Sequence, residues 1–303
     1  MSATTQIQPF RLFRVRLVGR QRRSRNLVRL TFADPKLADF ADNGYDQRIK
    51  VVLPQGGGDT LDEFPMGPDW FSVWRSQPTD RRAHIRTYTI VAVRPDTGEI
   101  DVDFVDHGAT GPGSRFAAES AVGDETIILG PSRSYDGTHG GLEFRRELAG
   151  RSRQLIVGDL TALPAIAGIA RELPSTATGF ISIEVPHAED ARGVRVPSGV
   201  HLDWCVTSAG HDQLGTVRQW LAGLGPLDGD QAQTTVIDDG GDDPYWEVTA
   251  TEQAAAAPPA VSAWVAGESG RVRALRRMLV DDFEIPRAAV CFMGYWREGV
   301  AGS

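Results

Sequence analysis

Arg86-Thr87-Tyr88-Thr89 sits in a β-branched stretch that reads as a strand. Strand alternation sends Arg86 and Tyr88 to one face and Thr87 and Thr89 to the other, so a guanidinium can meet a phosphate while a flat phenol packs on a ring. An ordinary strand with an exposed arginine and a half-buried tyrosine accounts for the same four residues. Their neighbours add chemistry. Asp103 to Gly108 (DFVDHG) is followed by Gly111 to Phe116 (GPGSRF), a glycine-rich turn entering a helix, where backbone N–H groups and the helix dipole can hold a pyrophosphate. A simple turn is the alternative. Val122 to Pro131 then returns as a strand closing on Gly130-Pro131.

Other chemistries find little support. The six histidines, His84, His107, His139, His187, His201 and His211, show neither HExxH nor HxH spacing, so no protein-bound metal is expected. Cys205 and Cys291 are far apart in apolar stretches and read as buried free thiols, not as a disulfide or a CxxC centre. The 303 residues carry 32 basic and 40 acidic side chains, a net charge of -8, which argues against a general nucleic-acid or anionic-membrane binder. No run reaches the roughly 18 to 20 apolar residues of a membrane span, and the first residues lack an apolar core with a cleavage site. A cytoplasmic protein without stable membrane association is expected. Only Lys36 and Lys50 are lysines, for which codon composition is a sufficient explanation.

The elements that must position these residues fall into two halves. Phe10–Gly19, Arg25–Phe32, Arg48–Leu53, Arg86–Arg94, Glu99–Val105 and Thr126–Gly130 read as antiparallel strands, with one helix over Ser114–Ala121. Six such strands predict a small closed barrel, because closure removes exposed edges. Residues 55–80, with Trp70, Phe71 and Trp74, read as a long surface loop whose aromatics pack back or line a site. After Gly140 the pattern changes. QLIVG (154–158) reads as a buried strand, Thr161 as a helix N-cap, Ala165–Glu172 as the helix and GFISIEV (179–185) as the next strand. A strand near His201–Thr207, a helix near Gln213–Ala222, the strand at 261–267, the arginine-rich helix Ser269–Val280 and a last strand at 288–296 continue the alternation. This predicts a Rossmann-like, mostly parallel sheet with helices on both faces. Residues 223–259 read mostly as an insertion or linker. The resulting class is β followed by α/β: an antiparallel six-stranded barrel over 1–148 and a parallel-sheet domain over 149–303. That order suits a flavin on the barrel and a pyridine nucleotide at the carboxyl ends of the parallel strands.

RTYT (86–89), DFVDHG (103–108), GPGSRF (111–116), GDETIILGP (123–131), VGDLTALPAIAGI (157–169), WVAGESGRVRALRR (264–277) and GYWREG (294–299), in this order, resemble the siderophore-interacting protein family. These are FAD-dependent ferric-siderophore reductases of the ferredoxin reductase superfamily, and the resemblance spans nearly the whole chain. It implies an FAD-binding barrel, NADPH or NADH as electron donor, and a ferric siderophore as substrate, reduced to release Fe(II) for intracellular iron assimilation. It further implies that Arg86 meets the FAD pyrophosphate, Tyr88 lies against the isoalloxazine and Thr89 hydrogen-bonds the flavin, with Thr87 on the same strand. Asp106, His107 and Gly108 match the segment near the adenine and phosphate side. Gly113, Ser114 and Arg115 match the phosphate cradle, with Phe116 where the family often has Trp.

In the second half the resemblance implies that Asp159 and Thr161 face flavin and nicotinamide and join Tyr88 as catalytic candidates. Leu160 stands in place of the family's usual Glu, so no role for that carboxylate carries over. Gly267 and Glu268 match a nucleotide-side segment, and Tyr295 or Trp296 would cover the flavin or shape the nicotinamide entrance, core packing being an equal account. Lys50, Arg133 and Arg297 are the substrate candidates, each also readable as a surface charge. Most of Arg271, Arg273, Arg276 and Arg277 read as a solvated helix face, although Arg271 and Arg273 suit a 2′-phosphate equally. GxGxxG is absent from this half, which argues against tight NAD binding. The alternatives are a general flavin or ferric reductase, a reductase for an electron-transfer partner, and a non-catalytic siderophore-binding protein. A monomer is the expected state.

Overall fold

The computed structural model describes residues 7–54, 59–106, 111–227, 246–248 and 258–299. Two compact units emerge: Met1–Asn43 with Gln47–Leu142, and Gly44–Asp46 with Glu143–Ser303.

The first unit is a closed barrel of β1 (Phe10–Arg22), β2 (Leu27–Ala33), β3 (Arg48–Leu53), β4 (His84–Arg94), β5 (Glu99–Val105) and β6 (Glu125–Pro131), in the order β1-β2-β5-β4-β3-β6. Every neighbouring pair is antiparallel. Alternation fills the interior with Phe13, Val15, Leu30, Phe32, Val51, Val102, Phe104 and Ile128, all essentially without solvent contact. The register breaks between Leu17 and Gly19 on β1 and between Ile90 and Ala92 on β4. Such bulges bend a strand, as closing a small barrel requires.

Part of the expected loop over 55–80 is helical: α1 (Asp59–Asp62) and α2 (Trp70–Ser76). α2 has no side-chain N-cap bond to announce it and is only two turns long, so packing rather than propensity holds it. Phe64, Trp70 and Trp74 pack with Leu61 and Ala83 onto Val52 and Ile127, and Trp74 Nε1 donates to the Ala83 carbonyl at 2.9 Å. Phe71 stays 48% exposed, so the aromatics pack back in part. α3 (Pro112–Glu119) follows β5 and places Ala117 and Phe116 against the barrel core.

In the second unit β7 (Arg153–Asp159), β8 (Thr178–Val185), β9 (Gly199–Val206), β10 (Trp246–Val248), β11 (Val261–Glu268) and β12 (Val290–Trp296) form one sheet in the order β10-β12-β11-β7-β8-β9. All pairings are parallel except β10 with β12. Parallel strands buried on both faces read as continuous apolar runs, and every β11 residue from Val261 to Gly267 is buried. α5 (Gln213–Ala222) and α6 (Ser269–Arg276) cover the face carrying Leu155 and Val157. α4 (Leu163–Glu172) packs over Gly158, where an added Cβ would lie 2.7 Å from that of Ala162.

Three sequence expectations change here. Thr161 does not cap α4; the cap position is Ala162, without a side-chain bond, because the Thr161 hydroxyl is already engaged by Asp159. The α-helix expected over 269–280 ends at Arg276 and continues as a π-helix, Arg277–Asp282, which keeps Met278 and Leu279 buried. Within 223–259, the described Trp246–Val248 is an edge strand, so this part is more than a linker; its buried Glu247 accepts from Arg276 Nε at 2.6 Å. Arg276 is therefore not on a solvated face.

Gly44–Asp46 is a left-handed turn, with φ of 67° at Gly44 and 51° at Tyr45. Buried Asp46 accepts from Trp264 Nε1 at 2.9 Å and from the Glu143 and Phe144 amides at 3.1 Å. Gly168 of α4 admits the Tyr45 carbonyl, which would lie 2.1 Å from a Cβ there.

On the outer face of the barrel Arg94 forks onto Asp101 at 2.7 and 2.8 Å, Thr31 Oγ1 donates to Asp101 at 2.8 Å, and Arg29 forks onto Asp103 at 2.7 and 2.9 Å. Burial alone would raise the Asp101 pKa, but the bonds from Arg94 and Thr31 carry it below the usual value. A depressed carboxylate contributes stability above its unfolded pKa and loses it as pH falls through the folded value. Asp101→Asn should therefore cost about 1–3 kcal/mol at pH 7. In urea unfolding followed by circular dichroism, the gap from the parent protein should persist down to about pH 4 and close below it.

Candidate functional site

Two groups of the singled-out residues come together, one in each unit. On the barrel, Tyr88 pairs with Ile49 and Arg86 with Val51, while His84 pairs with Leu53. Because Ile49, Val51 and Leu53 face the core, His84, Arg86 and Tyr88 all turn to the inward side. Thr87 faces the other way, across from Lys50, whose Nζ donates to Thr87 Oγ1 at 3.3 Å. Thr89 is buried opposite Arg48.

The Tyr88 ring lies 4.3 Å from that of Phe104, and burial pushes its phenol pKa well up, with Arg86 opposing. Its hydroxyl occupies the space beside Gly113, where an added Cβ would sit 2.2 Å from Oη. Gly113 is thus required by the tyrosine it faces, whatever else the turn holds. Arg86 Nη1 donates to the Ile85 carbonyl at 2.9 Å, and burial draws the guanidinium pKa down, against a smaller opposing influence of Tyr88.

His84 reports the charge around it. Its pKa is lowered first by burial and then by Arg86, Arg115 and Arg82, three cations from β4, α3 and the segment before β4. α3 begins here with Gly111 as cap, Pro112 in its first turn, no acidic residue in that turn, and Ser114 Oγ donating to the Val105 carbonyl at 3.2 Å. A helix start among converging guanidinium groups suits a diphosphate, so these residues fit the pyrophosphate of FAD. Arg82 and His84 were missed from the sequence, where nothing marks them beyond their closeness to Arg86. Asp106 accepts from Arg22 Nη2 at 3.0 Å. His107 and Gly108 lie outside the described residues.

In the second unit Asp159, Thr161, Gly267, Glu268 and Trp296 converge at the carboxyl ends of β7, β11 and β12. Asp159 Oδ1 accepts from the Thr161 amide at 2.8 Å and its hydroxyl at 2.5 Å. Oδ2 accepts from the Glu268 amide at 2.9 Å and from Trp296 Nε1 at 2.7 Å. Gly267 has φ 145°, and a Cβ there would meet Asp159 Oδ2 at 2.6 Å. Glu268 caps α6 by accepting from the Arg271 amide at 2.9 Å, and Ser269 Oγ donates to the Trp296 carbonyl at 2.9 Å. The Trp296 side chain keeps part of its surface exposed at this edge.

Arg271 pairs with Glu184 at 2.9 Å, at the end of β8. Burial raises the Glu184 pKa, Arg271 opposes it, and Asp159 and Asp212 add to it. Arg271 is thus committed to a carboxylate instead of lying on a solvated face. Leu160 is buried. Of the substrate candidates, Lys50 and Arg133 are exposed in the first unit and Arg297 is exposed in the second. Cys205 and Cys291 are free and buried, with thiol pKa values raised by burial to about 11 and about 12. Among the described residues no group of three or more His, Cys, Asp or Glu side chains is placed to hold a metal, and no helix is long and apolar enough to cross a membrane.

Comparison with known proteins gives these groups a context. Residues 16–135 match the family model of the siderophore-interacting FAD-binding domain, and residues 151–299 match that of the siderophore-interacting protein. The chain is 28% identical over 278 residues to the ferric vibriobactin reductase ViuB of Vibrio cholerae, covering 91% of this chain and 86% of that one. The crystal structure of the siderophore-interacting protein SipS from Aeromonas hydrophila superposes with a TM-score of 0.65 at 30% identity, over 96% of this chain and 93% of that one. A siderophore utilization protein from T. fusca shares the fold, with a TM-score of 0.63 at 20% identity over 98% and 97% of the two chains.

Because Gly113 leaves room for the Tyr88 hydroxyl, Gly113→Ala should displace the tyrosine and weaken FAD binding by about tenfold or more. Adding Tyr88→Phe, which removes the clashing oxygen, should restore most of that loss. FAD titration followed by flavin fluorescence checks both.

Proposed function

The chain belongs to the siderophore-interacting protein family, and on that premise we propose that it is an FAD-dependent reductase taking electrons from NADH or NADPH and delivering them to iron(III) held by a siderophore. The observation that carries the reading is the seating of the start of α3 against β4, where the Tyr88 hydroxyl fills the space beside Gly113 and Arg86 turns to the same inward side. It lies inside the stretch matching the FAD-binding domain. In this reading residues 1–148 hold FAD and residues 149–303 receive the nicotinamide nucleotide.

Bound FAD supplies the exchange between a two-electron donor and a one-electron acceptor. The chain's own residues bind and orient. Arg86 would neutralise the diphosphate from a partly desolvated position, where each charge-assisted bond is stronger than in water. Gly113, Ser114 and the first amides of α3 would hold the same phosphates, with Arg115 adding charge. Tyr88 brings an aromatic face held by Phe104, and Thr87 and Thr89 complete the strand. Asp106, His107 and Gly108 belong to the adenine side in this assignment.

Asp159 acts by orientation. With both oxygens accepting two hydrogen bonds, it holds Thr161, the Gly267-Glu268 turn and the Trp296 indole in one arrangement at the edge where a nicotinamide would enter. Lys50, Arg133 and Arg297 offer cations to an anionic ferric complex, which a protein of net charge -8 otherwise repels. Reduction is itself the release step, since hard oxygen ligands hold iron(II) less firmly than iron(III). Two buried free thiols, with no disulfide between them, support a reducing, cytoplasmic setting, and a monomer suffices for the chemistry.

The test is an anaerobic titration of the FAD-loaded protein with NADH or NADPH, then with a ferric siderophore, following flavin absorbance and trapped Fe(II). One nucleotide should bleach the flavin, and the siderophore should restore its colour as Fe(II) appears. Absence of FAD binding removes the reading. The two classes of residue should separate: Arg86→Ala should weaken FAD by about 10- to 100-fold, whereas Lys50→Ala should raise KM for the ferric complex about severalfold with FAD retained. Loss of FAD on Lys50→Ala would refute its assignment to the substrate.

A further inference from the structure

The turn carrying Arg133 is held more firmly than an exposed turn requires. Beyond the end of β6, Ser132 continues as an isolated bridge to Phe40. Phe40 is fully buried, its ring 5.3 Å from that of Phe13, and it fills the space left by Gly130, where an added Cβ would come within 2.2 Å. The Ala41 amide donates to the Pro131 carbonyl at 3.0 Å, the Ser132 amide to Pro9 at 2.9 Å and the Arg133 amide to Asp39 at 2.7 Å. The Asp39 carboxylate closes the assembly. Its Oδ1 accepts from the Ser134 amide at 3.0 Å and hydroxyl at 2.5 Å, and Oδ2 accepts from Ser132 Oγ at 3.0 Å and Arg11 Nη1 at 2.7 Å. Burial would raise its pKa, yet the bonds from Ser134, Arg11 and Ser132 hold it below the usual carboxylate value, so it is charged at neutral pH. One carboxylate thus grips the residues on both sides of Arg133 while the arginine side chain stays exposed.

The strand pairing indicates which part of the barrel carries that turn. Lys50 pairs with Leu129 across β3 and β6, so the two share a face of the barrel. β6 ends at Pro131 and Arg133 stands in the turn just beyond it, four residues past Leu129, so the chain keeps it within about 14 Å of that position. Thr87, opposite Lys50, lies on the same face. A lysine and an arginine carried this near each other suit a bulky anionic complex better than a single carboxylate group.

We propose that Asp39 is a positioning residue for the substrate, fixing the turn so that Arg133 meets an anionic ferric siderophore. The proposal rests on the reading of this chain as a ferric-siderophore reductase. Charge and position make opposite demands. A carboxylate beside Arg133 lowers the local positive potential, so removing it by charge alone would tighten binding of an anion. If position governs, removal leaves Arg133 to be ordered on binding, and affinity falls.

The experiment uses the FAD-loaded full chain with Asp39→Asn, Arg133→Ala and the double variant. The probes are the anionic ferric tris(2,3-dihydroxybenzoate) and the neutral ferric tris(acetohydroxamate), with Kd from calorimetry, and KM and kcat from trapped Fe(II). Asp39→Asn should raise Kd and KM for the anionic complex about fivefold, with kcat moving less than about twofold. It should add nothing once Arg133 is alanine and should change the neutral complex little. Ser134→Ala, which removes one surface hydroxyl, should shift KM the same way by about twofold, covering the case of poor folding in Asp39→Asn. Tighter or unchanged anion binding in Asp39→Asn, no effect of Arg133→Ala, or full additivity of the two would overturn the proposal. A parent protein that neither binds nor reduces either complex overturns the reductase reading, and this proposal with it.

Discussion

The carboxyl edge of the parallel sheet depends on one side chain. Asp159 ends β7, and its oxygens accept from its own turn, from the junction of β11 and α6, and from the end of β12, partners up to 137 residues away in sequence. Without that carboxylate, two backbone amides, a hydroxyl and an indole N–H would each need another acceptor in a part-buried setting, at a cost comparable to a lost hydrogen bond apiece. Gly267 is part of the same solution, because only a residue without Cβ brings the turn this close to Asp159. Leu160 shows what the arrangement does not need. It is buried and apolar, so the edge is organised without a second carboxylate at that position.

The barrel solves a related problem with opposite charge. Arg86, brought inward from β4, loses hydration, which is why burial depresses it, and His84 is depressed by its own burial and then by Arg86, Arg115 and Arg82. Such cations are poised for an anion, since a phosphate restores in one step the stabilisation that water gave them. What fixes their geometry is shape: Tyr88 is held between Phe104 and the bare Cα of Gly113, and the strand pairing of β3 with β4 sets the side to which Arg86 points.

This division explains what could be read from the sequence. Alternation revealed the barrel strands, continuous apolar runs revealed the parallel sheet, and the order of short motifs revealed the family, because each is carried by residues near one another in the chain. The two bulges, the helix at Trp70–Ser76 and the π-helix after Arg276 were not legible, since packing across the unit decides them. Glu184 against Arg271, and Arg115 of α3 beside His84 of β4, depend on pairings between separate elements that no local spacing records. Asp39 is the clearest case: its partners Ser132 and Ser134 lie 93 and 95 residues away, and in sequence it is one more acidic residue in an acidic protein.

That acidity is less hostile to an anionic ligand than a net charge of -8 suggests. Many of the carboxylates serve as acceptors inside the fold: Asp101 and Asp103 in the arginine ladder, Asp46 under Trp264, Asp159 at the sheet edge and Asp39 under the Arg133 turn. A carboxylate already matched with N–H donors presents little field beyond its partners, and exposed charges farther off are screened within about 8 Å at physiological salt. The potential a ligand meets is then set by the few cations on the face it approaches. On the outer face of the barrel Lys50 bonds the neutral hydroxyl of Thr87, and Arg133 stands on the turn beyond β6, whose amides are already engaged. Acidic scaffolding and a cationic face are therefore compatible, because the same carboxylates that make the chain acidic hold its arginines where they are needed.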